Sequence, residues 1–244
     1  MKTPHIFKAK SRMGLINPPM RHTKFNNGVE EAPSYIIDQN FLDTFPKYKT
    51  SEFTFSKPED IQKEKYYSKL AEELESLKNL INEKIKSTET QMVIGGDNSV
   101  TFSSLLAVIE RLKEVKKIGY LQFDSHGEMH LFKTSVSKNF HGMYMRPFFD
   151  KFDVEEIEGL VPNKLNLSQA LTIGDIIFED SQPDGEKAFY KNIRNINRDE
   201  FLQNKSASLL EINNFIDKFE HIHINFDIDI FKAESVGPSG MGDE

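Results

Sequence analysis

The sequence predicts an α/β fold of three layers, α/β/α, around a mostly parallel sheet. Short apolar strands alternate with helical stretches through the middle and end of the chain, the pattern of βαβ units. Polar clusters follow those strands directly, where open parallel sheets bind their ligands. The length of 244 residues, with twenty Phe, suits one domain with a sizeable core. No linker divides the chain, so residues 1–244 are read as a single domain.

The first 60 residues are rich in Pro, Asn and Lys and read as loops around short elements. Residues 61–86 form the clearest helix, with Leu70, Leu74, Leu77, Ile81 and Ile85 at helical spacing. The charges from Lys63 to Lys86 read as its solvated face. Residues 91–99 are a short strand broken by Gly95 and Gly96, a tight turn with close backbone approach. Asn98 or Ser99 is placed to cap the next helix, which carries Phe102, Leu105, Leu106, Ile109 and Leu112. A second strand covers 117–123 and a third covers 171–177, with Gly174 inside it. A helix is predicted at 211–219 and a last strand at 221–230, its Ile and Phe side chains on one face. His221 and His223 lie near the start of that strand and read as structural.

Composition excludes several functions. There is no Cys, so disulfides, thiolate zinc sites and Cys nucleophiles are ruled out. The formal net charge of −7, without a basic cluster, argues against nucleic acid and anionic membrane as partners. No apolar run is long enough to span a bilayer. Residues 1–14 have basic residues but no apolar core behind them, which argues against a signal peptide. The expectation is a soluble cytoplasmic protein.

The chemistry gathers at strand ends: Asp97-Asn98, Asp124-Ser-His-Gly-Glu128 and Asp227-Ile-Asp229. Side chains two apart on a strand share a face, so Asp124 pairs with His126 and Asp227 with Asp229. Carboxylates converging in one pocket repel one another unless a cation neutralises them. One imidazole with several carboxylates suits Mn, Fe or Zn better than Ca. A lone Asp-x-His is often only a loop hydrogen-bond network. Recurrence at several strand ends is what points to metal.

These residues, with Asn139-Phe-His-Gly142 and Asn27-Gly-Val-Glu-Glu-Ala-Pro33, resemble in order the motif set of the ureohydrolases: arginase, agmatinase and formimidoylglutamase. The motifs run from about residue 27 to about 240. The resemblance implies a two-manganese enzyme in which a metal-bound hydroxide attacks a guanidino or formimidoyl carbon and a linear amidine C–N bond is cleaved. By motif, Asp124 and Asp227 bridge the metals, His126 and Asp229 complete one site, and Glu128 serves the other and contacts the nucleophile. His141 is the proton shuttle. Ser137, Asn139, Asp184 and Glu186 match substrate contacts. A small-molecule substrate and a trimer or hexamer are implied.

Departures accompany the match. Asn98 stands where the family usually has a His ligand, and an amide oxygen binds transition metals less tightly than imidazole. Glu128 replaces Asp, His130 replaces a carboxylate-reading Asn, and Lys232-Ala233 replaces Asp-Pro. After the glycine-rich residues 236–244 the family continues with a helix, a strand and a guanidinium-binding Glu, so the domain is expected to lack its last elements. The rival reading is a catalytically impaired relative that acts in binding or assembly. An unrelated metallohydrolase such as a phosphoesterase ranks last, because no phosphate-binding glycine loop with Lys is present.

Overall fold

Among the described residues all strand pairings are parallel. The computed structural model describes residues 2–16, 28–176 and 183–231. Strands β1 (Thr3–Lys10), β2 (Lys49–Thr54) and β3 (Glu89–Gly95) form one sheet in the order β2-β1-β3. Strands β4 (Ile118–Phe123), β5 (Ala170–Ile173), β6 (Arg194–Ile196) and β7 (His221–Phe226) form a second in the order β6-β5-β4-β7. The crossovers carry helices at Tyr66–Lys84, Ser99–Leu112, Asp184–Tyr190 and Lys205–Ile216. Parallel sheets flanked by helices match the predicted three-layer class.

The Tyr66–Lys84 helix buries Leu70, Leu74, Leu77 and Ile81, the stripe read from the sequence. The predicted start at residue 61 is too early, because short 3-10 turns at Pro58–Asp60 and Lys63–Lys65 precede the helix. Its charged face is also not wholly solvated. Glu73 is buried and accepts from the Ser56 backbone N–H (3.0 Å) and Oγ (2.5 Å), while buried Lys78 pairs with Glu110 (2.9 Å). Each of these charges is buried with a partner, the condition under which burial is tolerable.

The Ser99–Leu112 helix links the two sheets. Its Val100 packs on Gly95 of β3, and Thr101 Oγ1 donates to Asn225 Oδ1 of β7 at 2.8 Å. Asn225 Nδ2 in turn donates to the Tyr144 hydroxyl at 3.0 Å, and Tyr144 meets the Tyr120 hydroxyl at 3.3 Å. The expected side-chain cap from Asn98 or Ser99 is not made; Asp97 Oδ1 accepts from the Ser99 N–H at 2.7 Å instead.

Three strand predictions are corrected. The third strand stops at Ile173, because Gly174 takes φ +140 and turns the chain. The last strand stops at Phe226, and a 3-10 turn follows at Ile228–Ile230. Ile224 and Phe226 do share a face, but they are 58% and 56% exposed, since β7 ends its sheet among the described residues. Strands β1 and β2 arise in a region read as loops around short elements. Lys232-Ala233 and residues 236–244 lie outside the described residues.

Candidate metal centre

Strand register assembles the site. Phe123 of β4 pairs with Phe226 of β7 and with Ile173 of β5. The next residues, Asp124, Asp227 and Gly174, therefore leave the sheet side by side. Asp227 N–H donates to Phe123 O (2.8 Å) and Asp124 N–H to Ile173 O (3.1 Å), carrying the ladder one step past each strand end.

Beyond that point the chain leaves the pleat, so strand alternation does not pair these side chains. Two turns of one design do so. Asp124 Oδ1 accepts from the His126 N–H at 2.8 Å, and Asp227 Oδ1 from the Asp229 N–H at 3.1 Å. An Asp that binds the backbone two residues on forms a tight local turn. The two turns are sewn together. Ser125 N–H donates to Asp229 Oδ1 (3.2 Å), Ser125 Oγ donates to Asp229 O (2.8 Å), and His126 Nδ1 lies 2.9 Å from Asp229 Oδ2.

One donor atom each from Asp124, His126 and Glu128 lies within 4.8 Å of the others, and the same holds for Asp124, Asp227 and Asp229. Asp124 belongs to both groups and is fully buried. Glu128 is 4% exposed and adopts φ +54. That left-handed backbone is uncommon outside glycine and concentrates at functional sites. Asn98 hydrogen-bonds to Asp227, which brings the end of β3 to the cluster. Asp97 is taken up in structural bonds from Ser11 Oγ (2.7 Å), the Ser99 N–H and the Gly14 N–H (3.3 Å). Gly96 keeps the predicted close approach: a Cβ there would lie 2.3 Å from Ser11 O and 2.4 Å from Val29 O.

Electrostatics sharpen the picture. Burial raises the Asp124 pKa well above the usual carboxylate range, and the charges of Asp227 and Asp229 raise it further. Burial and Asp229 raise Asp227. Burial also opposes ionisation of Asp229, but the His126 hydrogen bond and charge outweigh it and hold Asp229 low. Burial disfavours the His126 cation, yet Asp229, Asp124 and Asp227 raise its pKa to about 9. Buried carboxylates that raise one another's pKa mark a site short of positive charge. The donor set, carboxylates with one imidazole, fits a divalent cation of the Mn, Fe or Zn type.

His141 lies on the 3-10 turn Phe140–Gly142 and is held by its N–H to Gly14 O at 3.2 Å. Burial lowers its pKa to about 4 against the pull of Asp97. Glu128, His130 and Gly142 are neighbours, tied by His130 N–H to Gly142 O (3.2 Å) and Met145 N–H to Glu128 O (3.0 Å). His130 Nδ1 sits 3.4 Å from Glu186 Oε2, and Glu186 also accepts from Thr134 Oγ1. Glu186 is thus buried against the 130–134 loop, whereas Asp184 is exposed in the first turn of its helix. Asn139 is buried, and its N–H donates to Ser137 Oγ at 3.3 Å. His223, read as structural, is half-buried and stacks on Tyr120 at 5.8 Å. Sequence reasoning missed Gln122, a fully buried amide on β4 whose Nε2 donates to Asp124 Oδ2 at 2.8 Å. Its signal was a Gln between Leu121 and Phe123, because uncharged polar residues are uncommon in buried strands.

Comparison with known proteins gives consistent results. The family model described as "Arginase family" matches residues 11–240. An arginase of Entamoeba histolytica is 24% identical over 94% of this chain and 79% of its own length. An arginase of Brevibacillus brevis is 28% identical over 54% of this chain, and the match spans 46% of that relative, about half its length. Among solved structures, the Entamoeba histolytica arginase in complex with L-ornithine superposes with a TM-score of 0.78 at 20% identity, covering 96% of this chain and 78% of that one. A formimidoylglutamase of Bacillus subtilis superposes with a TM-score of 0.63 at 16% identity, covering 96% and 67%.

Proposed function

The chain belongs to the arginase family, and from that premise we propose that it is a manganese-dependent hydrolase cleaving the C–N bond of a guanidino or formimidoyl compound. The observation that carries the reading is the register of β4 against β7, which sets Asp124 beside Asp227 and gathers both donor groups around Asp124. In this reading Asp124 and Asp227 would hold both cations, His126 and Asp229 would serve one, and Glu128 and Asn98 would contribute at the other.

The bound cations would supply an activated water at neutral pH and positive charge for the tetrahedral carbon's oxygen. The remaining work falls to the chain. Glu128 orients the attacking water. His141 is assigned the proton transfer to the leaving nitrogen; burial lowers its pKa to about 4, which leaves it a weak base at pH 7. Ser137, Asn139 and the His130–Glu186 pair, with Asp184 further out, position the substrate. Relatives under this family description, and an arginase crystallised with L-ornithine, support a small amino-acid-like ligand.

A second reading, a relative impaired in catalysis, is favoured by one observation: Asn98 occupies its side chain with Asp227. One experiment separates the two. The chain is loaded with Mn(II), metal is counted by elemental analysis, and urea or formamide release is assayed from arginine, agmatine, guanidinobutyrate and formimidoylglutamate. The proposal expects about two ions per chain and turnover lost in Asp124→Ala and Asp227→Ala. Metal-free protein without turnover supports the impaired relative. Turnover that survives both substitutions overturns the assignment of the site.

A further inference from the structure

Gln122 sits beneath the cluster, and its surroundings do not suit a packing residue. The side chain is fully buried. Nε2 donates to Asp124 Oδ2 at 2.8 Å and to His126 O at 3.1 Å. With Asp124 ionised, as a bound cation would hold it, both partners are acceptors only and chemistry sets the orientation of the amide: turned over, its oxygen would face a carboxylate and a carbonyl. The other end of the amide, Oε1, is buried with no hydrogen-bond partner. A buried, half-satisfied amide is unfavourable compared with an apolar side chain of the same shape. Its placement is therefore explained by what Nε2 does.

What Nε2 does is complete a symmetric clamp on Asp124. Oδ1 receives the His126 N–H at 2.8 Å and Oδ2 receives Gln122 at 2.8 Å. Each carboxylate oxygen has two lone-pair directions. One N–H on each oxygen leaves one lone pair on each, in a carboxylate plane that can no longer rotate. That distribution suits a carboxylate giving one bond to each of two cations, and disfavours one that turns both oxygens to a single ion.

We propose that Gln122 is a positioning residue that holds the Asp124 carboxylate in its bridging orientation, and that it thereby sets whether two cations, rather than one, fill the centre. The proposal rests on the metal-centre reading above. It differs from that reading in assigning the second ion's retention to an amide that touches neither cation.

The test uses the full 244-residue chain and Mn(II) chloride. Calorimetry gives affinity and stoichiometry, electron paramagnetic resonance at two equivalents reports whether the ions are exchange-coupled, and a melt of the metal-free protein reports the fold. Wild type should bind about two ions with a coupled spectrum. Gln122→Met should melt within a few degrees of wild type without metal, bind the second ion at least about tenfold more weakly, and show the spectrum of isolated ions at equal loading. Gln122→Asn, which keeps an amide but withdraws it by one methylene, should lose the coupled signal in the same way. If the variants bind two ions with wild-type affinity and spectrum, Gln122 only packs and the proposal falls while the metal centre stands. If neither variant folds, its role is structural and the proposal falls too. If wild type binds no Mn(II), the metal-centre reading fails first.

Discussion

Gly174→Ala tests the strand-end geometry most directly. Gly174 follows β5 with φ +140, a conformation that residues with a Cβ rarely adopt. Forcing Ala into it costs about 1–3 kcal/mol of backbone strain. A Cβ at this position would lie 2.0 Å from Asp124 O and 3.0 Å from Asp124 C. The obstacle is main chain, so it cannot rotate aside. The ends of β4 and β5 must part, which strains the Asp124 N–H to Ile173 O bond (3.1 Å) and adds an overpacking cost of about 1–3 kcal/mol. The sum is about 2–6 kcal/mol. For a chain of this size 1 kcal/mol moves Tm by about 2–4 °C, so the melt should fall by about 4–24 °C. The displaced atom belongs to Asp124, and Mn(II) affinity should therefore fall as well. Gly185→Ala is the control: nothing lies within 4 Å of its Cβ, and it sits in the Asp184–Tyr190 helix. Ala there should be neutral or stabilising by up to about 1 kcal/mol. Calorimetric melts and Mn(II) titrations of both variants decide the matter. A Gly174→Ala protein melting within about 2 °C of wild type, with unchanged Mn(II) affinity, would refute the reasoning.

Two further outcomes follow from the buried polar contacts. Asn225→Ala removes the partner of both Thr101 Oγ1 and the Tyr144 hydroxyl; orphaning two buried hydroxyls at about 1–3 kcal/mol each, with Tyr144 keeping Tyr120, predicts a loss of about 2–4 kcal/mol by urea unfolding, and a loss under about 1 kcal/mol contradicts it. Lys49, with the Lys86 N–H and His5, holds the Glu89 carboxyl down to about 2 against burial. A folded pKa below the unfolded value of 4.5 gives stability that is present above pH 4.5 and lost as pH falls towards 2. Glu89→Gln should therefore lower Tm at neutral pH and flatten its decline across that window, and melting curves parallel to wild type at every pH would count against the ion pair.

The elements legible in the sequence were those with a strong local signal. The Tyr66–Lys84 helix shows its period in Leu70, Leu74, Leu77 and Ile81, β3 and β4 are marked by apolar stretches that stop at polar clusters, and β7 by alternating Ile and Phe before Asp227. Strand β1 was not legible. Its Thr3–Lys10 stretch mixes His5, Lys8 and Lys10 with buried Ile6, Phe7 and Ala9, and it becomes a strand by pairing on both sides with β2 and β3. Glu73 and Lys78 looked like solvent-facing charges, because their partners Ser56 and Glu110 lie far off in sequence.

The candidate site divides along the same line. Residue types and spacing alone determined that carboxylates and a histidine end several strands, since each motif is local and chemically distinctive. Only the tertiary structure decided which of them meet: the β4–β7 register joins Asp124 to Asp227, more than a hundred residues on. It likewise replaced strand alternation with paired turns, set Glu186 against His130, and placed the Gln122 amide under Asp124. Those relations depend on non-local backbone pairing and on where each chain leaves the sheet, quantities that no short stretch of sequence contains.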